Sequence, residues 1–389
     1  MKRVLFPIVL LFAMIMVFTG FQCASTEITS AKLYINQKNW DKALNVLNKE
    51  VEKNPKSDEG YYLLGLVHSE KEDVDNTIKA FNNSLSISKK FEKEILAQKK
   101  VQWANYFNKA VSYFNRAMQS VDADTQKIQY DRSIYAFNQA IKLEPDSADT
   151  YKNLSFVYLN QQKLDEAIIP LKKLISLEAS LEGYRFLGEI YFNQGNALMS
   201  KYGESKAASD SVEALELFNQ SIEVLEKGRA NFPNDSEILL FLSNAYIAAN
   251  KIDVAIDAFK AGVQQEPMNQ YYRYNYGVLL LGGNNFAEAA EQFEKALEID
   301  PTYLNADYNL AVTYVKWGAS ISKIAEEKGE ESTEAKKKYE LALPHLESYL
   351  AQKTDDPGIW ELTGRVYSIL GNLEKAQKAF ETADTLRKR

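Results

Sequence analysis

Few side chains in this chain could do covalent or metal chemistry, and none is placed where a neighbour would activate it. There are two histidines, His68 and His345, and one cysteine, Cys23. A histidine that works as a base or a ligand needs a partner for its proton or its metal. Neither histidine has a cysteine or a second histidine near it in sequence, so both are expected to be structural. A single cysteine forms no internal disulfide. The sequence contains no GxGxxG or GxxxxGK(S/T) phosphate loop, no HExxH, no CxxC and no Gly-x-Ser-x-Gly elbow. Carboxylates abound, but Asp and Glu at helical spacing among lysines are ordinary i,i+4 surface partners. The run Glu326-Glu327-Lys328-Gly329-Glu330-Glu331 lacks the alternating Asp/Asn loop of a calcium site and reads as a solvated tip. No catalytic residue, metal site or cofactor is therefore expected. A net charge of −7 leaves little basic surface for nucleic acid. What remains is non-covalent recognition.

Any such surface must be carried by helices. The stretch 274–301, YNYGVLLLGGNNFAEAAEQFEKALEIDP, reads as a helix, a polar reversal, a second helix and a stop. Gly277 lets one helix backbone approach another, because it has no side chain to hold them apart. Gly282-Gly283-Asn284-Asn285 supplies the reversal. Ala289, Phe293 and Ala296 recur at helical spacing, and Asp300-Pro301 ends the second helix. A pair this short cannot bury its apolar face alone and needs neighbours.

The chain supplies them. The small residue that seats the second helix, Ala289, has counterparts at Ala43, Thr77, Ser133, Ala167, Ser221, Ala255, Ala342 and Ala376. Five of the eight intervals are 34 residues, and the others are 56, 54 and 53. Four positions after each comes a wedge: Leu47, Phe81, Phe137, Leu171, Leu225, Phe259, Phe293, Leu346 or Phe380. This pattern resembles the tetratricopeptide repeat, over roughly residues 26–389 and in nine units. Motif positions are filled by Tyr61, Leu64 and Gly65; by Tyr184, Leu187, Gly188 and Tyr191; and by Trp360, Gly364 and Tyr367. Pro55, Pro145, Pro233, Pro267 and Pro301 close units. The resemblance implies an all-α superhelical solenoid of helix-turn-helix units.

The third, fifth and eighth units exceed the period by 22, 20 and 19 residues while keeping their motifs. Lengthening both helices of a pair by about three turns preserves the facing stripe, so three elongated hairpins are expected, each standing about 15 Å proud. Their tips are expected at Asp122-Ala123-Asp124, 202–211 and 326–338. Trp103, Phe107, Tyr113, Tyr130, Trp317 and Tyr339 would glue them. Pro170 and Pro344 are expected in first turns, where the missing N–H costs little. No linker divides the array, which reads as one domain.

At the N-terminus, Met1-Lys2-Arg3 precedes an apolar run over 4–18 and then Thr19-Gly20-Phe21-Gln22-Cys23. A basic start, an apolar stretch and small residues make a secretory signal. The stretch is short of the roughly 20 residues that span a bilayer. It resembles a bacterial lipoprotein signal whose acylated residue would be Cys23, although Gln22 stands where that family prefers a small residue. A plainly cleaved signal and an uncleaved anchor are the other readings. The expected division is a signal peptide over 1–22, a tether over 23–30 and repeats over 31–389. The chain is then a membrane-anchored lipoprotein of the cell envelope, facing the periplasm or the outside.

By resemblance, first helices line a concave groove. The positions facing it are Leu240, Asn244 and Ile247; Tyr271, Tyr274, Val278 and Leu281; and Tyr308, Val312 and Val315. In the fifth unit they are Glu182, Arg185, Glu189 and Phe192. The lining is apolar and rich in tyrosine, which combines rigid area with one hydroxyl. Some family members clamp a partner's terminal carboxylates with Lys and Asn. Here Lys152 and Arg185 fit the Lys position, but Phe156 and Glu189 follow them, so that clamp is not expected. The function implied is a non-catalytic envelope scaffold that binds a protein segment in the groove. The alternatives are a component of an outer-membrane export or transport machinery handling polysaccharide or lipid, and a regulator of a periplasmic hydrolase.

Overall fold

The computed structural model describes residues 25–388, which contain eighteen α-helices and no strand. They follow one another as nine helix-turn-helix pairs. The first three pairs are α1 (Thr26–Asn36) with α2 (Trp40–Lys53), α3 (Asp58–Glu70) with α4 (Val74–Ile87), and α5 (Glu92–Gln119) with α6 (Ala123–Leu143). Next come α7 (Ala148–Asn160) with α8 (Leu164–Leu177), α9 (Leu181–Ser205) with α10 (Ala208–Asn231), and α11 (Ser236–Ala248) with α12 (Ile252–Gln265). The last are α13 (Gln270–Gly282) with α14 (Phe286–Ile299), α15 (Leu304–Glu327) with α16 (Thr333–Gln352), and α17 (Pro357–Ile369) with α18 (Leu373–Arg387). The architecture is an all-α solenoid of nine units, three of them elongated.

The seating pattern read from the sequence is the core. All nine small residues from Ala43 to Ala376 are at most 2% exposed. The wedges from Leu47 to Leu346 are buried too, and Phe380, in the last helix, is half-buried. A Cβ on Gly277 would lie 2.7 Å from the Phe293 ring, and one on Gly188 would lie 2.4 Å from the Leu225 side chain. The glycines make room for the wedge of their own pair. Pro55, Pro145, Pro233, Pro267 and Pro301 each follow the C-cap residue of a return helix.

The short pairs reverse through one shared turn. Lys38, Glu72, Gln162, Asn250, Asn284 and Gly371 occupy it with φ between 54° and 82°. The next N–H bonds back across the helix end, from Lys163 to the Tyr158 carbonyl at 3.0 Å and from Asn285 to the Leu280 carbonyl at 2.8 Å. This closure satisfies a carbonyl that the helix leaves open. The reversal expected at Gly282-Gly283 is thereby corrected in detail. Gly282 is still helical, Gly283 has φ −81°, and Asn284 takes the left-handed position. A short polar side chain tolerates that region better than most.

Other expectations need correction as well. The chain divides into two compact units, between Thr150 and Tyr151, rather than one domain. In stacked pairs each contacts only its neighbours, so no single core unites the whole. The proposed tether is helical from Thr26: Ser25 caps the Ile28 N–H at 3.0 Å, and Ile28 is buried. The first long pair is uneven, with 28 residues in α5 and 21 in α6. Ser133 donates to the Ala110 carbonyl at 2.9 Å, so α6 seats well up α5. Residues 202–205 and 208–211 continue α9 and α10, leaving only Lys206 and Ala207 as the tip. Helix continues there because the buried Asp210 carboxylate accepts from Lys201 at 3.0 Å and Ser205 at 3.1 Å. The third tip is 328–332. Pro170 and Pro344 lie inside α8 and α16, six and eleven residues after the first helical residue, and so past the first turn.

Each unit has its own interior. In the first, Ile28, Ala31, Leu47, Leu63, Leu64 and Val67 form a cluster. In the second, a cluster runs from Ala167 to Ala342, joined by one around Leu346, Ile359 and Val366. Phe107 and Tyr130 pack within the hairpin as expected, Phe107 meeting Phe137 edge-on at 5.7 Å and Tyr130 lying 6.2 Å from Phe114, whereas Tyr113 lines open clefts. Lys338 sits over the Trp317 ring at 3.3 Å.

Candidate binding surface

In the second unit the first helices of successive pairs touch: α9 with α11, α11 with α13, and α13 with α15. Side chains of the expected lining therefore meet across repeats. Asn275, on α13, is almost fully buried. Its Oδ1 lies 3.0 Å from the Ser243 hydroxyl on α11, and its Nδ2 donates to the Tyr271 carbonyl at 2.8 Å. A buried amide satisfied on both sides pins α13 against α11.

Leu240, Asn244, Ile247, Tyr271, Val278, Tyr308, Val312 and Val315 are all half-buried. Such residues pack at one end and still offer area to a partner. Tyr274 and Leu281 differ. Tyr274 is only 7% exposed, with its ring 4.9 Å from Tyr303 and 5.9 Å from Phe293, and its hydroxyl accepts from Asn309 at 2.9 Å. Burial pushes its phenol up, with the Asn309 bond acting the other way. Tyr274 thus ties α13 to α15 and is not presented to a partner, which corrects its place in the lining. Leu281 is likewise buried.

Two further tyrosines belong to the surface and were not picked out from the sequence. Tyr303, in the loop before α15, meets Tyr271 edge-on at 5.9 Å, and Tyr349, on α16, lies 5.1 Å from Tyr308. Both lie outside first helices, so no first-helix position could flag them. The signal available was proximity to Pro301 for Tyr303 alone.

The cations of the fourth and fifth pairs, Lys152 and Arg185, are already neutralised. Lys152 pairs with Glu182 at 2.8 Å, a contact that holds the Glu182 carboxyl below its usual range. Arg185 pairs with Glu237 and faces Asp235 at 3.6 Å. Neither is left for a partner's carboxylate. Phe156, Leu159, Leu164, Phe186 and Ile190 instead line a cleft of about 350 Å³. The histidines are engaged by carboxylates: His68 Nδ1 lies 3.3 Å from Asp73, and His345 Nδ1 2.6 Å from Asp307. Among the described residues, no group of three His, Cys, Asp or Glu could hold a metal, and no helix is long and apolar enough to cross a membrane. Cys23 and the signal expected over 1–22 lie outside the described residues.

Comparison with known families matches "Tetratricopeptide repeat" over 240–303, 58–91 and 357–389, and "TPR repeat" over 122–162. These are tetratricopeptide repeats. The chain is 26% identical over 199 residues to the peroxisomal targeting signal receptor of Kluyveromyces lactis, covering 47% of this chain and 35% of that protein. It is 24% identical to the receptor of the same name in Saccharomyces cerevisiae, covering 47% and 34%. The chain spans about a third of the length of the curated relatives it matches. Among solved structures, a tetratricopeptide repeat protein from Parabacteroides merdae is similar at 15% identity and a TM-score of 0.43, covering 72% of this chain and 93% of that one. YrrB, described as a TPR protein with an unusual peptide-binding site, is similar at 21% identity and a TM-score of 0.32, covering 51% and 89%.

Proposed function

We propose that this chain is a non-catalytic adaptor that holds a segment of a partner protein against the first helices α11, α13 and α15. The carrying observation is the run of half-buried Leu240, Ile247, Tyr271, Val278, Tyr308, Val312 and Val315, with Asn244 among them. Apolar area with sparse, directional polar groups suits a peptide that presents both side chains and backbone. The names of its relatives, receptors for a targeting signal, are in keeping with a role in reading a segment of another protein. The setting we propose is the bacterial cell envelope, with the chain anchored by acylation at Cys23 and facing the periplasm or the outside. Two or three acyl chains hold a protein stably where one does not.

The test is capture from solubilised membranes with the full chain, against Tyr271→Ala/Tyr308→Ala. The adaptor reading expects one protein partner, lost in the double variant. A copurifying glycan or lipid retained by that variant would overturn it. Mass spectrometry of the mature N-terminus tests the anchor: acyl groups on Cys23 are expected, and a free terminus further along contradicts it.

A further inference from the structure

The first long hairpin carries a surface that the adaptor reading does not use. The Tyr106 hydroxyl donates to the Glu72 carbonyl at 3.1 Å, which sets the α3–α4 turn level with Tyr106. From there α5 continues to Gln119, about 20 Å further. Beyond the turn, the face of the hairpin that would stack on a preceding pair has no pair to cover it. A cleft of about 620 Å³ runs from Ser69 and Gln102 beside the turn out to Arg116, and one of about 630 Å³ opens beyond it; both are lined by Glu72, Tyr106, Lys109 and Tyr113. Arg116 of α5 lines one, and Arg132 of α6 lines the other beside Asp131.

Lys109 is neutralised by Glu72 at 2.8 Å. The arginines are not. Their guanidinium carbons stand 5.8 Å and 5.9 Å from the centre of the Tyr113 ring, so they are at most about 12 Å apart. Both side chains are exposed, and neither has an ion pair or hydrogen bond among the described residues. Two like charges gathered on one ring, in a chain of net charge −7, repel each other until an anion arrives.

We propose that this face docks a short acidic segment of a partner protein, with its carboxylates on Arg116 and Arg132 and its backbone along α5. Guanidinium forks bind carboxylates bidentately. Asn105 and Asn108 line the same cleft as Arg116, and primary amides match the donor and acceptor of a peptide unit. Helices α5 and α6 carry eight Lys and Arg against four Asp and Glu, so this face is locally basic within an acidic chain and attracts an anionic partner.

The test titrates the full chain with a fluorescein-labelled peptide bearing two glutamates three residues apart, about 10 Å when extended. Its glutamine twin is titrated beside it. The glutamate peptide should bind about tenfold more tightly than the twin, and the preference should fade as salt rises from about 50 to 500 mM. Arg116→Gln and Arg132→Gln should each weaken binding, and the double variant should remove the preference. Arg→Lys at both positions, which keeps charge without the fork, should retain part of it. Equal binding of the two peptides, no saturation at millimolar peptide, or an unchanged double variant would overturn the proposal. So would polygalacturonate binding more tightly than the peptide through the same arginines. None of these residues lies on α11, α13 or α15, so failure here leaves the adaptor reading standing, and the converse holds.

Discussion

At Gly277 the space a Cβ would fill is taken by the Phe293 ring, and at Gly188 by Leu225. Gly277→Leu or Gly188→Leu should therefore overpack the pair and cost about 1–3 kcal/mol in urea unfolding. Wild-type stability would mean that the helices close some other way. A second contact recurs between pairs. Tyr246, Tyr314 and Tyr367 donate their hydroxyls to Glu226, Glu294 and Glu347 on the preceding return helix. Tyr191 has the same place in its repeat, but Lys172 follows the wedge Leu171 where the others have their glutamate, and the buried Tyr191 hydroxyl has no partner among the described residues. Tyr314→Phe should cost about 1 kcal/mol, whereas Tyr191→Phe should be neutral or slightly stabilising. Equal losses in the two variants would remove the glutamate from the explanation. The three paired phenols, and Tyr106 at about 12, are raised first by burial and then by neighbouring carboxylates. A raised folded value favours the protonated phenol in the native state. Stability should thus be intact below the ordinary value near 10 and fall as pH rises from there. Urea titrations at pH 8, 10 and 11 check the sign, and a gain at pH 11 would contradict it. Tyr191 and Tyr367 were legible as motif residues. The glutamate partners were not, since a lone surface-type Glu on another helix carries no local signal.

At the scale of the element, the tight turn shows what residue types can hide. Of the six left-handed residues in the short turns only Gly371 is glycine; Asn250 and Asn284 tolerate the region, whereas Lys38, Glu72 and Gln162 carry its usual steric cost. Gln162→Gly should raise stability by up to about 1 kcal/mol, while Asn284→Gly should change it little. A loss at Gln162 would mean that its side chain holds the turn. The turns could be placed from the sequence, but the left-handed residue could not, because glycines at 282 and 283 drew attention one position early. The long hairpins were legible from the intervals of 56, 54 and 53. How the added length divides between two helices was not, because Ser133 could seat against any small residue along α5, and Ala110 is one of several.

For the whole molecule, nine repeats could be counted from small residues alone, since burial at those positions is what the repeat selects for. The binding face was legible in part. Tyr271, Val278, Tyr308 and Val312 lie where first-helix positions put them, but Tyr274 turned inward because Asn309 and Tyr303, one repeat on, capture its hydroxyl and ring. Contacts across repeats are the part that a single repeat motif does not encode. The account stands or falls on which face of these helices meets the partner. A photocrosslinking residue placed singly at Leu240, Val278 or Val312, with Val254 on return helix α12 as control, measures this directly. The account predicts one partner adduct from each of the three first-helix positions and none from Val254. Adducts from Val254 alone would contradict it.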